Sequence, residues 1–227
     1  MKTLLSLGCS NSSDSWGKTW PDFLSDSIDH KLFRASSNGA GNAFFIEKLN
    51  FVLQNEKIDL VIVQLTEPSR VVLGMKSNEI KNKSTIYVDG MSFNSLGCYT
   101  WNAHQNDDNI NRITNANYKI DKFWFKEVSI SEWINYKVCQ DICIMQYLCD
   151  KFNKPVIFFS WFVNFDDLFV NEYKWLKNNI NYIDGSAMDI FNKNMLQPDP
   201  KCADHFNADA NKFLVDEWLL PQIRKFT

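Results

Sequence analysis

The spacing of apolar residues changes several times along the chain, and each change marks an element. Thr3-Leu4-Leu5-Ser6-Leu7-Gly8 is a short apolar run and predicts a strand over 3–8. Trp20, Phe23, Leu24 and Ile28 then recur at helical spacing. They follow Thr19-Trp20-Pro21-Asp22, a helix start with Thr19 as cap, proline in the first turn and an acid three positions after the cap. Leu32-Phe33 predicts a short second strand. Ser36-Ser37-Asn38-Gly39-Ala40-Gly41-Asn42 is a loop of small residues that feeds a helix carrying Phe45, Leu49, Val52 and Leu53. The β-branched run from Ile58 to Leu65 reads as a strand buried on both faces.

Residues 74–117 break this rhythm. They are rich in Asn, with Gly and Ser, and their apolar residues are sparse and clustered, as in Thr85-Ile86-Tyr87-Val88. A stretch of this length without firm elements is expected to be a functional loop, here a cover or side wall of the substrate site. Regular spacing returns with a long helix over 129–152, a strand over 155–162, a short helix over 169–178, an edge strand at Asn181-Tyr182-Ile183 and a last helix over about 207–225. Strands alternating with helices predict one α/β domain over 1–227, a parallel sheet with helices on both faces and an insertion at 74–117. In such sheets ligands bind beyond the carboxyl ends of the strands. Ser10, Gly39 and the Thr66–Arg70 segment all follow predicted strands and are expected to converge there.

Composition narrows the function. The chain has 227 residues, 45% of them hydrophobic and 22% charged, so it can bury a sizeable core. Its net charge of −3 and pI near 5.6 argue against nucleic acid as a partner, because phosphate binding needs a basic surface. Six cysteines without a CxxC pair read as reduced, packed thiols. With three histidines and no complete ligand spacing, no metal or organic cofactor is implied; Asp107-Asp108 lacks the spacing of a calcium loop. Met1–Cys9 superficially resembles a lipoprotein signal, but its apolar run is too short, and it is read as the first strand. No apolar run reaches the roughly 20 residues needed to span a membrane, so the chain is expected to be soluble; without a signal peptide in this sequence, its location is read as cytoplasmic or left open.

The candidate chemistry sits at the two ends of the chain. Ser10 lies in the Gly8-Cys9-Ser10 turn after the first strand, and His205 opens the segment before the last helix. Serine needs a neighbouring base to become a nucleophile at neutral pH, and such a pair is defined by geometry rather than by sequence distance. His30 and His104 have no such context.

These blocks resemble the SGNH (GDSL-type) hydrolase superfamily over roughly 1–70 and 125–225. Gly8-Cys9-Ser10 is similar to the family's Gly-Asp-Ser block in a Gly-Cys-Ser form, followed by Trp20-Pro21. Gly39-Ala40-Gly41-Asn42 resembles the second block, and Asp204-His205-Phe206-Asn207 the last. The resemblance implies a flavodoxin-like three-layer α/β/α sandwich and a serine esterase that removes a small acyl group, acetyl by expectation, from a carbohydrate or other polar alcohol. It implies Ser10 as nucleophile, His205 as base and backbone N–H groups of Ser10 and Gly39 in the oxyanion hole. Two positions depart from the family pattern. Thr66-Glu67-Pro68-Ser69 stands where the family has Gly-x-Asn-Asp, so the Asn donor is missing; Asn42 is the candidate substitute, with Thr66 and Arg70 as substrate-binding candidates. Cys202 stands three residues before His205 where the family has Asp, leaving Asp204, ahead of Asp199, as the supporting acid, or a Ser–His dyad. Acyl transfer on the same fold, and a non-catalytic carbohydrate-binding or structural protein, are the alternatives.

Overall fold

Five parallel strands carry the fold. The computed structural model describes residues 1–14, 17–36, 40–66, 70–74, 85–88, 91–94, 98–102, 132–169, 171–198 and 205–226. In chain order its strands are β1 (Lys2–Gly8), β2 (His30–Ser36), β3 (Leu60–Leu65), β4 (Arg70–Gly74), β5 (Thr85–Val88), β6 (Met91–Asn94), β7 (Cys98–Asn102), β8 (Val156–Ser160) and β9 (Tyr182–Ser186). The helices are α1 (Trp20–Ser27), α2 (Asn42–Asn55), α3 (Glu132–Lys151), α4 (Phe165–Leu168), α5 (Ala187–Lys193), α6 (Ala208–Leu214) and α7 (Leu220–Ile223). The central sheet runs β2-β1-β3-β8-β9, with every described pairing parallel.

Side chains alternate across this sheet and divide the core in two. Leu5, Leu7, Val61, Val63 and Phe158 face Phe45, Leu49 and Val52 of α2 and Ile142 and Met145 of α3. Leu4, Leu60, Ile62, Ile157 and Phe159 face Trp20 and Leu24 of α1 and Leu214 and Leu219 near the end of the chain. The result is the three-layer α/β/α sandwich expected from the sequence, with α1 and α2 on opposite faces. Strand order therefore reverses between β1 and β3, and the crevice beyond their carboxyl ends is the ligand position that this topology favours.

Local chemistry explains where elements start. Asp22 Oδ2 accepts a hydrogen bond from Thr19 N (2.9 Å), closing the predicted cap of α1, and the Arg34 guanidinium lies 2.6 Å from the same oxygen. β2 is longer than the predicted Leu32-Phe33 pair, because it pairs with β1 along the full length of that strand. The edge strand runs on to Ser186, whose side chain accepts from Asp189 N (3.1 Å) and caps α5, a helix the apolar spacing did not predict. The predicted helix over 169–178 is a 3-10 segment, Asn171–Asn178, preceded by the single turn α4. The last helix is continuous but widens into a π turn over Val215–Leu219 between α6 and α7.

The largest difference from expectation lies in 74–117. That stretch includes β5 and β6, paired antiparallel, and β7, paired antiparallel with β4. Strands of four or five residues leave too few alternations to register as a period. Among the described residues no helix is long and apolar enough to cross a membrane.

Candidate active site

The turn after β1 is shaped by close packing of polar groups. A Cβ on Gly8 would lie 2.0 Å from Ser12 Oγ and 2.8 Å from Gln64 Oε1, so only glycine lets the chain fold back this tightly. Cys9 is extended, and Ser10–Ser12 form a 3-10 turn closed by Ser12 N to Cys9 O (2.9 Å) and Ser13 N to Ser10 O (3.1 Å). Beneath the turn lies a buried polar cluster. Ser12 Oγ donates to Gln64 Oε1, and the Trp20 indole N–H donates to Ser12 Oγ (2.8 Å) and to Gln64 Oε1 (3.3 Å). Gln64 Nε2 donates to Cys9 Sγ (3.2 Å). Asn11, Ser12 and Ser13 are buried, while Ser10 keeps partial exposure. The turn therefore keeps one of its three serines, Ser10, partly exposed at the carboxyl end of β1.

The second wall of the crevice comes from β3 and α2. Asn42, the first residue of α2, is 2% exposed, and its side chain clamps the backbone of Thr66. Asn42 Oδ1 accepts from Thr66 N (2.9 Å), and Asn42 Nδ2 donates to Thr66 O (3.5 Å). These bonds leave one N–H of the Asn42 amide for another acceptor. Thr66 Oγ1 is buried and has no hydrogen-bond partner among the described residues. Leu7 pairs with Val63, so β1 and β3 bring their carboxyl ends to the same end of the sheet.

The histidine segment reaches the same end of the sheet by packing. Trp161 directly follows β8 and packs on Phe191 of α5 (centroids 5.7 Å apart). Phe206 stacks on the other partner of that pair, Phe191, at 3.7 Å and 17°. These contacts tie the residue after His205 to α5 and, through it, to the residue that follows the carboxyl end of β8. His205 itself is half-buried, with Nε2 covered. Asn207 caps α6, its side chain accepting from Ala210 N (2.9 Å).

Other candidates are placed less fully. Arg70 begins β4, opposite Asn102. Gly39, Asp199, Cys202 and Asp204 lie outside the described residues, so the oxyanion role of Gly39 and the choice of supporting acid remain expectations. Among the described residues no three His, Cys, Asp or Glu side chains gather as metal ligands would. Cys139 and Cys149 are buried thiols pushed up to about 12 by desolvation, consistent with packing rather than chemistry.

No protein-family model matches the chain, and no curated protein matches it in sequence. Solved structures do match. The psychrotrophic esterase EstA from Pseudoalteromonas sp., determined with monoethylphosphonate as inhibitor, superposes with a TM-score of 0.55 at 14% identity, covering 100% of this chain and 98% of that one. TesA gives 0.59 at 11% identity with complete coverage of both chains. The fold is that of the SGNH (GDSL-type) hydrolases. A GDSL-like lipase from Bacteroides thetaiotaomicron adds a third SGNH-type match, 0.52 at 12% identity over 100% of this chain and 89% of that one.

Sequence reasoning missed three residues of this candidate site: Gln64, the Trp20 indole and Asn211. Gln64 carried a signal, a lone amide in the apolar run Val61-Ile62-Val63-Gln64-Leu65, because a fully buried amide needs partners.

Proposed function

We propose that this protein is a serine esterase that removes a small acyl group, acetyl in the first instance, from a carbohydrate or similar polar alcohol. The observation that carries the reading is Ser10: the partly exposed serine of an otherwise buried turn, at the end of β1 beside the strand-order reversal. A hydroxyl held there by packing beneath it loses little freedom on reaching a bound carbonyl.

Ser10 Oγ attacks the acyl carbonyl while His205 takes its proton. The negative charge passes to the carbonyl oxygen, which accepts from the backbone N–H groups of Ser10 and Gly39 and from the remaining N–H of Asn42. When the intermediate collapses, the C–O bond to the alcohol breaks and His205 returns the proton to the departing oxygen. Water then attacks the acyl-enzyme with His205 again as base, releasing the acid and restoring Ser10. Asp204 accepts the His205 Nδ1–H and stabilises the imidazolium. Thr66, whose hydroxyl has no hydrogen-bond partner among the described residues, and Arg70 contact the substrate.

Hydrolysis of p-nitrophenyl acetate, read alongside covalent labelling by a fluorophosphonate, tests the proposal. EstA, with the same fold, is inhibited by monoethylphosphonate, which makes a reactive phosphonate a fitting probe. Turnover and labelling are expected in the parent protein and absent in Ser10→Ala. A parent with neither, or a Ser10→Ala variant that retains both, overturns the reading.

A further inference from the structure

A single side chain joins the two ends of the chain. Asn211 lies within α6, where asparagine is a poor helix former because its amide competes for backbone groups. It is 2% exposed and its amide makes three bonds. Oδ1 accepts from Trp20 N (3.1 Å), one of the N–H groups at the start of α1 that the helix itself leaves unpaired. Nδ2 donates to Phe206 O (2.9 Å) and to Asn207 O (3.0 Å), the two carbonyls that follow His205. Trp20 in turn donates its indole N–H to Ser12 Oγ, in the turn that carries Ser10. One hydrogen-bonded path therefore runs from the histidine segment through Asn211 and Trp20 into the serine turn.

We infer that Asn211 is a positioning residue that sets His205 relative to Ser10. This rests on the proposed roles of those two residues, although the clamp itself does not. The Phe206–Phe191 stack fixes how deep the segment sits, but it is apolar and non-directional along the ring face, so it does not set the rotation of the backbone at 205–207. The two carbonyl bonds do, because each requires the carbonyl to point at one amide. An aliphatic residue at 211 would leave Trp20 N and both carbonyls without this partner, in a place water does not readily reach.

The test uses the full chain with Asn211→Ala and Asn211→Asp. The second keeps an acceptor for Trp20 N, loses both donors, and serves if the first does not fold. Met145→Ala, a core truncation on the opposite face of the sheet, controls for lost stability alone. The first readout is the imidazole signals of His205 in nitrogen-resolved NMR, assigned by their loss in His205→Asn. The second is kcat against KM for p-nitrophenyl acetate. The Asn211 variants are expected to shift or broaden the His205 signals while those of His30 stay in place. They should lower kcat by about tenfold or more with KM changed by less than about threefold. Met145→Ala should lower Tm and move neither readout. Unchanged His205 signals in both Asn211 variants overturn the inference. So does a Met145→Ala variant of equal Tm loss that reproduces their effects. If the parent neither turns over ester nor labels at Ser10, the functional reading fails, and the imidazole signals still decide whether Asn211 positions His205.

Discussion

The serine turn and the histidine segment are held in opposite ways. The turn is built from neighbours: Gly8, Cys9 and Ser12 lie within four residues of Ser10, and the strand beside them supplies Gln64. Its shape follows from steric exclusion and a buried polar cluster. The local support of the histidine segment is the Asn207 cap and the Asn211 amide, which donates to Phe206 O and Asn207 O. The segment is placed by an aromatic stack on α5 and by an amide bonded to α1, at the other end of the chain. For the proposed pair of Ser10 and His205, this gives one partner placed by its own turn and one whose placement depends on the wider fold. Damage to the core should reach His205 before it reaches Ser10.

The comparison breaks first at Ser10. Ser10→Ala should lower kcat/KM for p-nitrophenyl acetate by at least ~1000-fold and abolish fluorophosphonate labelling, without lowering Tm. Gly8→Ala comes next. Its methyl would meet Ser12 Oγ and Gln64 Oε1, so the turn must open; overpacking of this kind costs about 1–3 kcal/mol. Thermal unfolding should show the loss, and labelling of Ser10 should slow with it. Unimpaired labelling in Gly8→Ala would mean the packed turn is not what presents Ser10.

Phe206→Ala tests the other region. Removing a 7% exposed ring that stacks on Phe191 should cost about 3 kcal/mol, and turnover should fall further than the rate of labelling at Ser10. Equal losses in both would erase the difference drawn between the two regions. The supporting acid is a smaller effect: Asp204→Asn should lower turnover about tenfold, near 1.4 kcal/mol, with Asp199→Asn close to parental. The reverse pattern moves the role to Asp199, and two neutral results indicate a dyad.

The smallest effect concerns the start of the strand that leads to Ser10. Asp59 Oδ2 accepts from Thr3 N (2.8 Å), and Asp59 N donates to Thr3 O (2.9 Å), joining β1 to the residue before β3. The Thr3 N–H holds the Asp59 carboxyl below its ordinary value of 3.8. A carboxyl depressed in the folded state stabilises above its unfolded value, and that contribution fades as pH falls through the folded one. Urea midpoints should therefore drop between pH 7 and pH 3 by slightly more in the parent than in Asp59→Asn. Parallel midpoints would remove Asp59 from the account.

Much of the fold was legible because its signals are local. The runs in β1, β3 and β8, and the Thr19–Asp22 start of α1, need only a few consecutive residues to be recognised. The Gly8-Cys9-Ser10 turn was visible for the same reason. What escaped lacked a local period: the short strands from β4 to β7, the helix α5 behind its Ser186 cap, and the 3-10 character of Asn171–Asn178. The sequence offers Asn42 as a candidate oxyanion donor, but not its clamp on Thr66, since that contact joins the start of α2 to the end of β3.

By itself the sequence determined the strand and helix alternation, the parallel sheet, and which serine stands at the end of the first strand. Period and cap chemistry act over one or two turns of chain, so one sequence is enough to read them. The tertiary structure alone decided which polar side chains are spent on the scaffold. Gln64 and Ser12 are committed beneath the turn, and Asn211 spans from α6 to α1. A buried amide or hydroxyl must find partners wherever the fold brings them, and those partners lie up to 191 residues away along the chain.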